Sequence, residues 1–226
     1  ILTKLWGFLL LPSEADLRDL KTRLEAVVPD LKAIAGLVAK LADKLPAFER
    51  ETEYIALVHP GIYPFYHGRI GSTDTTELVD VQEFESVINE YVTPQSTSKW
   101  CKWHRASYAV GALARFNLNA AYLRPRAAQA AREFGLKPGC CNPYFNSVAQ
   151  LVECYQIIEH AVDLIDETRG AGLTQERLRV RPRAGEGAAA VEAPRGILFH
   201  RYAFDEKGIC LKANLCIPTN QNHANI

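Results

Sequence analysis

Arg195 and Thr219 are the residues best placed to do chemistry together. Arg195 lies in Ala193-Pro194-Arg195-Gly196, ahead of one apolar strand, and Thr219 in Pro218-Thr219-Asn220-Gln221-Asn222, behind the next. Between the two strands Asp205-Glu206-Lys207-Gly208 reads as a turn, with Gly208 suited to the left-handed position. A hairpin brings its outer ends side by side, so the two motifs are predicted to face one site. Arginine is permanently cationic and carries a rigid fork of donors, and threonine adds a hydroxyl. The alternative is a strand-end arginine in a surface salt bridge, because a four-residue motif is only a hypothesis.

Other reactive residue types are less suggestive. Cys101 and His104 have the Cys-x-x-His spacing that can bind zinc, but a second pair is needed and none is evident, so packing or surface placement is favoured. The vicinal Cys140-Cys141 reads as two reduced thiols in a turn, with redox sensing as the alternative. Glu153, Glu159, Asp163 and Asp166 share a helix with His160, lack the Glu-x-x-His spacing of carboxylate metal sites, and read as its solvated face. His200 is either a residue behind Arg195 or a hydrogen-bonded strand histidine. Glu49, Glu51 and Glu53 read as surface or structural charges. No residue is assigned as a metal ligand.

The elements that must position these groups predict an α+β, mainly helical chain: packed helices with short strands and a C-terminal β-hairpin. Ser13 with Asp16 makes a capping box. Leu17, Leu20, Leu24 and Val27, then Leu31, Ile34, Val38, Leu41 and Leu45, recur at helical spacing on either side of Pro29. That predicts two packed helices, ending at Pro46, rather than a coiled-coil stripe. Residues 12–167 read as mainly helical, with short strands at 54–80 and helices returning after them. Pro125 and Gly135 bracket a short helix. Asn142-Pro143 starts the longest one, striped by Val148, Leu151, Val152, Tyr155, Ile158, Val162 and Ile165. Residues 168–190 read as a loop whose Arg177, Arg179, Arg181 and Arg183 are solvated or salt-bridged. Residues 191–226 form the hairpin. Its second arm alternates Ile209, Leu211, Ala213, Leu215 and Ile217 against Cys210, Lys212, Asn214 and Cys216.

The E-A-P-R-G and P-T-x-x-N pair resembles the large (catalytic) subunit of nickel–iron hydrogenases, in wording closest to the cytosolic, cofactor-coupled group. The segments FERETEYIALVHPGIYPFYHGRI (48–70), VGALARFNLN (110–119), KPGCCNPYFNSVAQLVE (137–153) and RAGEGAAAVEAPRG (183–196) carry the same resemblance. It implies reversible heterolytic cleavage of dihydrogen at a nickel–iron centre bearing carbon monoxide and cyanide, with electrons passing to an iron–sulfur small subunit, then to a soluble acceptor. Further electron-transfer subunits (nicotinamide-, deazaflavin- or heterodisulfide-linked) are implied with it. By the same resemblance Arg195 donates to one cyanide, Thr219 to the other, and Pro194 and Pro218 shape the roof. Leu198 provides the apolar position around the carbon monoxide, and the Leu215 carbonyl is the nearest match to a magnesium ligand. The alternatives are a metal-free relative of the quinone-cavity subunit of respiratory complex I and a non-catalytic docking subunit.

The family's metal ligands are two Cys-x-x-Cys pairs, whereas Cys101, Cys140, Cys141, Cys154, Cys210 and Cys216 contain no such spacing. The chain begins at Ile1, has no methionine and ends at Ile226, so residues 1–226 are expected to be one internal fragment of a single large-subunit domain, or an incompletely assembled gene, inactive alone. Residues 1–11 diverge from the family; they form an apolar run too short for a membrane span and without a signal-peptide pattern. With 48% apolar residues the chain can bury a core. Lys plus Arg number 26 and Asp plus Glu 26, which gives no reason to expect nucleic acid or an anionic membrane as partner. Six unpatterned cysteines fit a reducing compartment, so the expected location is cytoplasmic.

Overall fold

The computed structural model describes residues 3–4, 7–8, 11–41, 44–173 and 181–225. Two short strands, β1 (Thr3–Lys4) and β2 (Gly7–Phe8), pair ahead of helix α1 (Glu14–Leu41). The capping box forms: Ser13 Oγ accepts from the Asp16 N–H (3.1 Å) and Asp16 Oδ2 from the Ser13 N–H (2.8 Å). Pro29 does not split the segment, contrary to the sequence expectation of two helices. It sits within one 28-residue helix. Pro29 is exposed, so the Glu25 carbonyl it leaves without an N–H can turn to water, the condition under which a mid-helix proline is tolerable.

Strands β3 (Glu53–Val58), β4 (Arg69–Ser72) and β5 (Thr75–Val79) fill the predicted strand region. The helices do not return at once after it. A two-stranded ribbon of β6 (Asn89–Tyr91) and β7 (Trp100–Lys102) intervenes, and β8 (Tyr108–Ala109) joins β3 in parallel to give the order β5-β4-β3-β8. Then come α2 (Ala112–Asn119), α3 (Pro125–Glu133) and α4 (Phe145–Ala171). Both faces of β3 are buried. Tyr54 and Ala56 face the helices, while Ile55 and Leu57 face a second core with Phe84, Tyr108, Ile197 and Phe199. In that second core the Phe84 and Phe199 rings stack 5.0 Å apart. Lys21 to Asp166 (2.6 Å) and Arg169 to Glu14 (3.2 Å) tie α1 to α4. No helix among the described residues is long and apolar enough to cross a membrane.

The C-terminal hairpin supplies two strands of a three-stranded sheet. Strands β9 (Gly185–Ala193), β10 (Gly196–Phe204) and β11 (Cys210–Cys216) run antiparallel with β10 central, followed by the short helix α5 (Pro218–Asn222). The segment expected to be loop at 168–190 therefore contains the end of α4 and the first half of β9. Gly185-Glu-Gly-Ala-Ala-Ala carries no β-branched or aromatic signal, yet its small side chains let the backbone lie against β10. The outer edge of β9 is met by Gln82, which donates to the Ala188 carbonyl (2.7 Å) and accepts from its N–H (3.0 Å). Of the arginine group, Arg181 and Arg183 are exposed, and Arg177 and Arg179 lie outside the described residues.

Candidate active site

Ala193-Pro194-Arg195-Gly196 is the turn between β9 and β10, where Gly196 pairs with Ala193. Gly196 has φ +134, and a Cβ there would meet Val110 Cγ2 at 2.3 Å, so only glycine lets the turn seat against the start of α2. Beneath the turn Arg115 is 1% exposed. Its guanidinium donates to Glu153 (2.5 and 2.7 Å), to Glu192 Oε2 (2.9 Å) and to the Ala193 (2.8 Å) and Pro194 (3.4 Å) carbonyls. Glu192 Oε1 accepts the Leu57 N–H (2.7 Å), and Tyr63 donates to Glu153 (2.8 Å).

Burial alone would make Arg115 easier to deprotonate, but Glu153 and then Glu192 outweigh it and hold the guanidinium firmly cationic. Burial pushes the Glu192 carboxyl up, against the opposing pull of Arg115. The solvated-face reading of Glu153 is thus corrected: its side chain reaches inward to Arg115. Glu159, Asp163 and Asp166 do form surface ion pairs, with Arg126, Arg124 and Lys21.

The second motif is bound to the first through α5. Asn222 donates to the Arg195 carbonyl (3.2 Å) and accepts the Val110 N–H (2.8 Å). Gln221, fully buried, donates to the Ile197 carbonyl (2.7 Å) and accepts from the Tyr108 hydroxyl (3.1 Å). With the β10–β11 pairing that sets Phe199 opposite Cys216, these bonds bring the Arg195 turn and the Pro218-Thr219 step to one end of the sheet. Arg195, Pro194 and Thr219 are exposed, Leu198 is half-buried and Pro218 is buried. Among the described residues Arg195 has no ion-pair partner. A cleft of about 230 Å³ opens beside α5, lined by Arg50, Tyr54, Val110, Cys141, Asn146 and Asn222; none of the five assigned residues lines it.

Several weaker candidates resolve. Cys101 and His104 diverge: the Cys101 sulfur faces Cys216 (3.9 Å), while His104 Nδ1 lies 2.6 Å from Glu53 Oε1. Glu53 is fully buried and also accepts from Ser72 Oγ (2.6 Å). His200 Nδ1 is 2.9 Å from the Tyr202 hydroxyl, a bond along β10, so it is the strand histidine. The alternation of β11 is present, and the apolar face is not the covered one. Ile209, Leu211, Leu215 and Ile217 are exposed, and Cys216 faces the core, because the register places it opposite Phe199.

No protein-family profile matches the chain. It is 32% identical over 185 residues to a component of the vhu F420-non-reducing hydrogenase of Methanococcus voltae, covering 76% of this chain and 43% of that protein. It is 30% identical over 223 residues to the alpha chain of sulfhydrogenase 1 of Pyrococcus furiosus, covering 97% of this chain and 51% of that one. The fold is similar to that of a NAD+-reducing NiFe hydrogenase in the H2-reduced state, with a TM-score of 0.76 at 22% identity over 97% of this chain and 52% of that chain. The chain spans about half the length of the curated relatives it matches.

Proposed function

The chain belongs to the nickel–iron hydrogenase large-subunit family, and from that premise we propose that it forms part of an enzyme catalysing reversible heterolytic cleavage of dihydrogen. The observation that carries the reading is an exposed Arg195 without an ion-pair partner among the described residues, in a turn clamped from below by Arg115 and from the side by Asn222. A fixed turn beneath an unneutralised cation is what electrostatic pre-organisation requires.

When bound, a nickel–iron centre with carbon monoxide and cyanide ligands supplies the site at which dihydrogen is split. The residues present suit the ligand side of such a centre. Arg195 and Thr219 would donate to two cyanides, Leu198 would wall the carbon monoxide, and Pro194 and Pro218 would hold the two donors in place. None of the six cysteines has Cys-x-x-Cys spacing, so this chain's contribution is the donor roof and not the thiolates. Arg195 orients and neutralises rather than carrying the proton, because a guanidinium is a permanent cation with fixed donors. The Leu215 carbonyl is our candidate for a magnesium ligand.

The partners that follow are an iron–sulfur small subunit, together with further nicotinamide-, deazaflavin- or heterodisulfide-linked electron-transfer subunits, in the cytoplasm. The test is Arg195→Lys in the assembled enzyme, read by hydrogen-dependent dye reduction and by nickel content. Activity should fall about 100- to 1,000-fold, the loss typical of one such donor, with nickel retained. Loss of nickel together with activity would show Arg195 to be structural.

A further inference from the structure

We propose that Glu90, Cys101 and Cys216 form a second metal site, for a zinc-class divalent cation, separate from the Arg195 turn. Their ligand atoms come from three strands and lie within 4.8 Å of one another. Glu90 and Cys101 are direct cross-strand partners in the β6–β7 ribbon, and Cys216 ends β11. Both cysteines are fully buried, and Glu90 is largely so, which leaves an entry path on the carboxylate side.

The sulfur geometry fits an ion better than it fits a bond. Two thiolates each about 2.3 Å from a tetrahedral zinc sit about 3.8 Å apart, and the Cys101 and Cys216 sulfurs are 3.9 Å apart. Two sulfurs and one carboxylate, with a water in the fourth position, make a borderline-soft donor set that favours zinc over magnesium or calcium. Lys99 Nζ holds Glu90 Oε2 at 3.1 Å.

The two thiols already face each other in the core. A divalent cation would displace both thiol protons, forming two metal–sulfur bonds and releasing two protons to water. The bound ion would pin the β6–β7 ribbon to the last residue of β11, two residues before Pro218.

The test uses cobalt(II) as probe on the purified, reduced and chelator-treated chain. We expect one cobalt per chain, a near-ultraviolet sulfur-to-cobalt band and the visible bands of a tetrahedral ion, all displaced by zinc. Cys216→Val, which keeps an apolar side chain in the core, should abolish the bands. Glu90→Gln should weaken affinity roughly tenfold or more. The double variant Cys140→Ser/Cys141→Ser should leave the bands unchanged. Absence of the bands in a natively folded chain, or their survival in Cys216→Val, would overturn the site. If Cys216→Val does not fold, Glu90→Gln decides, and unchanged cobalt affinity refutes the assignment. A Cys101–Cys216 disulfide recovered by mass spectrometry under the same reducing conditions would refute it too.

Discussion

Arg115 and Arg195 both serve the β9–β10 turn, the first from α2, buried beneath it and bonded to Glu153 and Glu192, the second exposed within it and without an ion pair among the described residues. Both are arginines because both positions call for a permanent cation with several donors. What differs is where the charge is spent. At Arg115 two carboxylates and two carbonyls consume it, and the product is rigidity. At Arg195 the backbone carbonyl is fixed by Asn222 while the guanidinium remains available to a ligand.

The sharpest way to break this contrast is Arg115→Met. It strands Glu153 and Glu192 in the core without their cation, which should cost about 3–5 kcal/mol by urea unfolding. A loss below about 1 kcal/mol, within the effect of an ordinary surface change, would mean the network is not the brace. Next in size is Arg195→Lys, where the barrier should rise by about 3–4 kcal/mol in the assembled enzyme. Its unfolding free energy should change by no more than about 0.5 kcal/mol. A large stability loss there would erase the distinction between the two arginines.

A subtler probe is pH. Burial raises the Glu192 pKa in the folded state above its unfolded value of about 4.3. Its contribution is therefore fully present below that value and is withdrawn as pH rises through the raised one. Measured against Glu192→Gln, the wild type should lose relative stability across that rise. The opposite slope would show that Arg115 outweighs burial and holds the Glu192 pKa below its unfolded value. Smallest of all, Asp163→Asn removes only the half-exposed pair with Arg124, and should cost at most about 1 kcal/mol by the same unfolding measurement.

What the sequence revealed and what it hid follow one line. The Ser13 cap, the helix opening at Pro125, the stripe of α4 and the Gly208 turn are set by neighbours in the chain, and each is found. Arg195 and Thr219 stand out as candidates because short motifs flank them, and the structure brings those motifs to one end of the sheet. Arg115 meets Glu192 across 77 residues and Cys101 meets Cys216 across 115, separations on which local periodicity is silent. Glu153 looked solvated because helical spacing says which residues share a face and not what that face touches. Burial along β11 is equally out of reach, since alternation fixes the two faces and the pairing with β10 decides which is covered. Glu192 and Arg115 both lay inside segments carrying the family resemblance, which was the one available hint.

The crowding at Gly196 bears on mutational genetics. Every amino acid other than glycine brings a Cβ, and here that atom would overlap Val110 on a backbone of φ +134. On the proposed function, a saturation screen of the assembled enzyme should score position 196 as intolerant as Arg195, although it has no side chain to offer a ligand. The two would separate on a second axis, protein abundance, which should fall for variants at 196 and hold at 195.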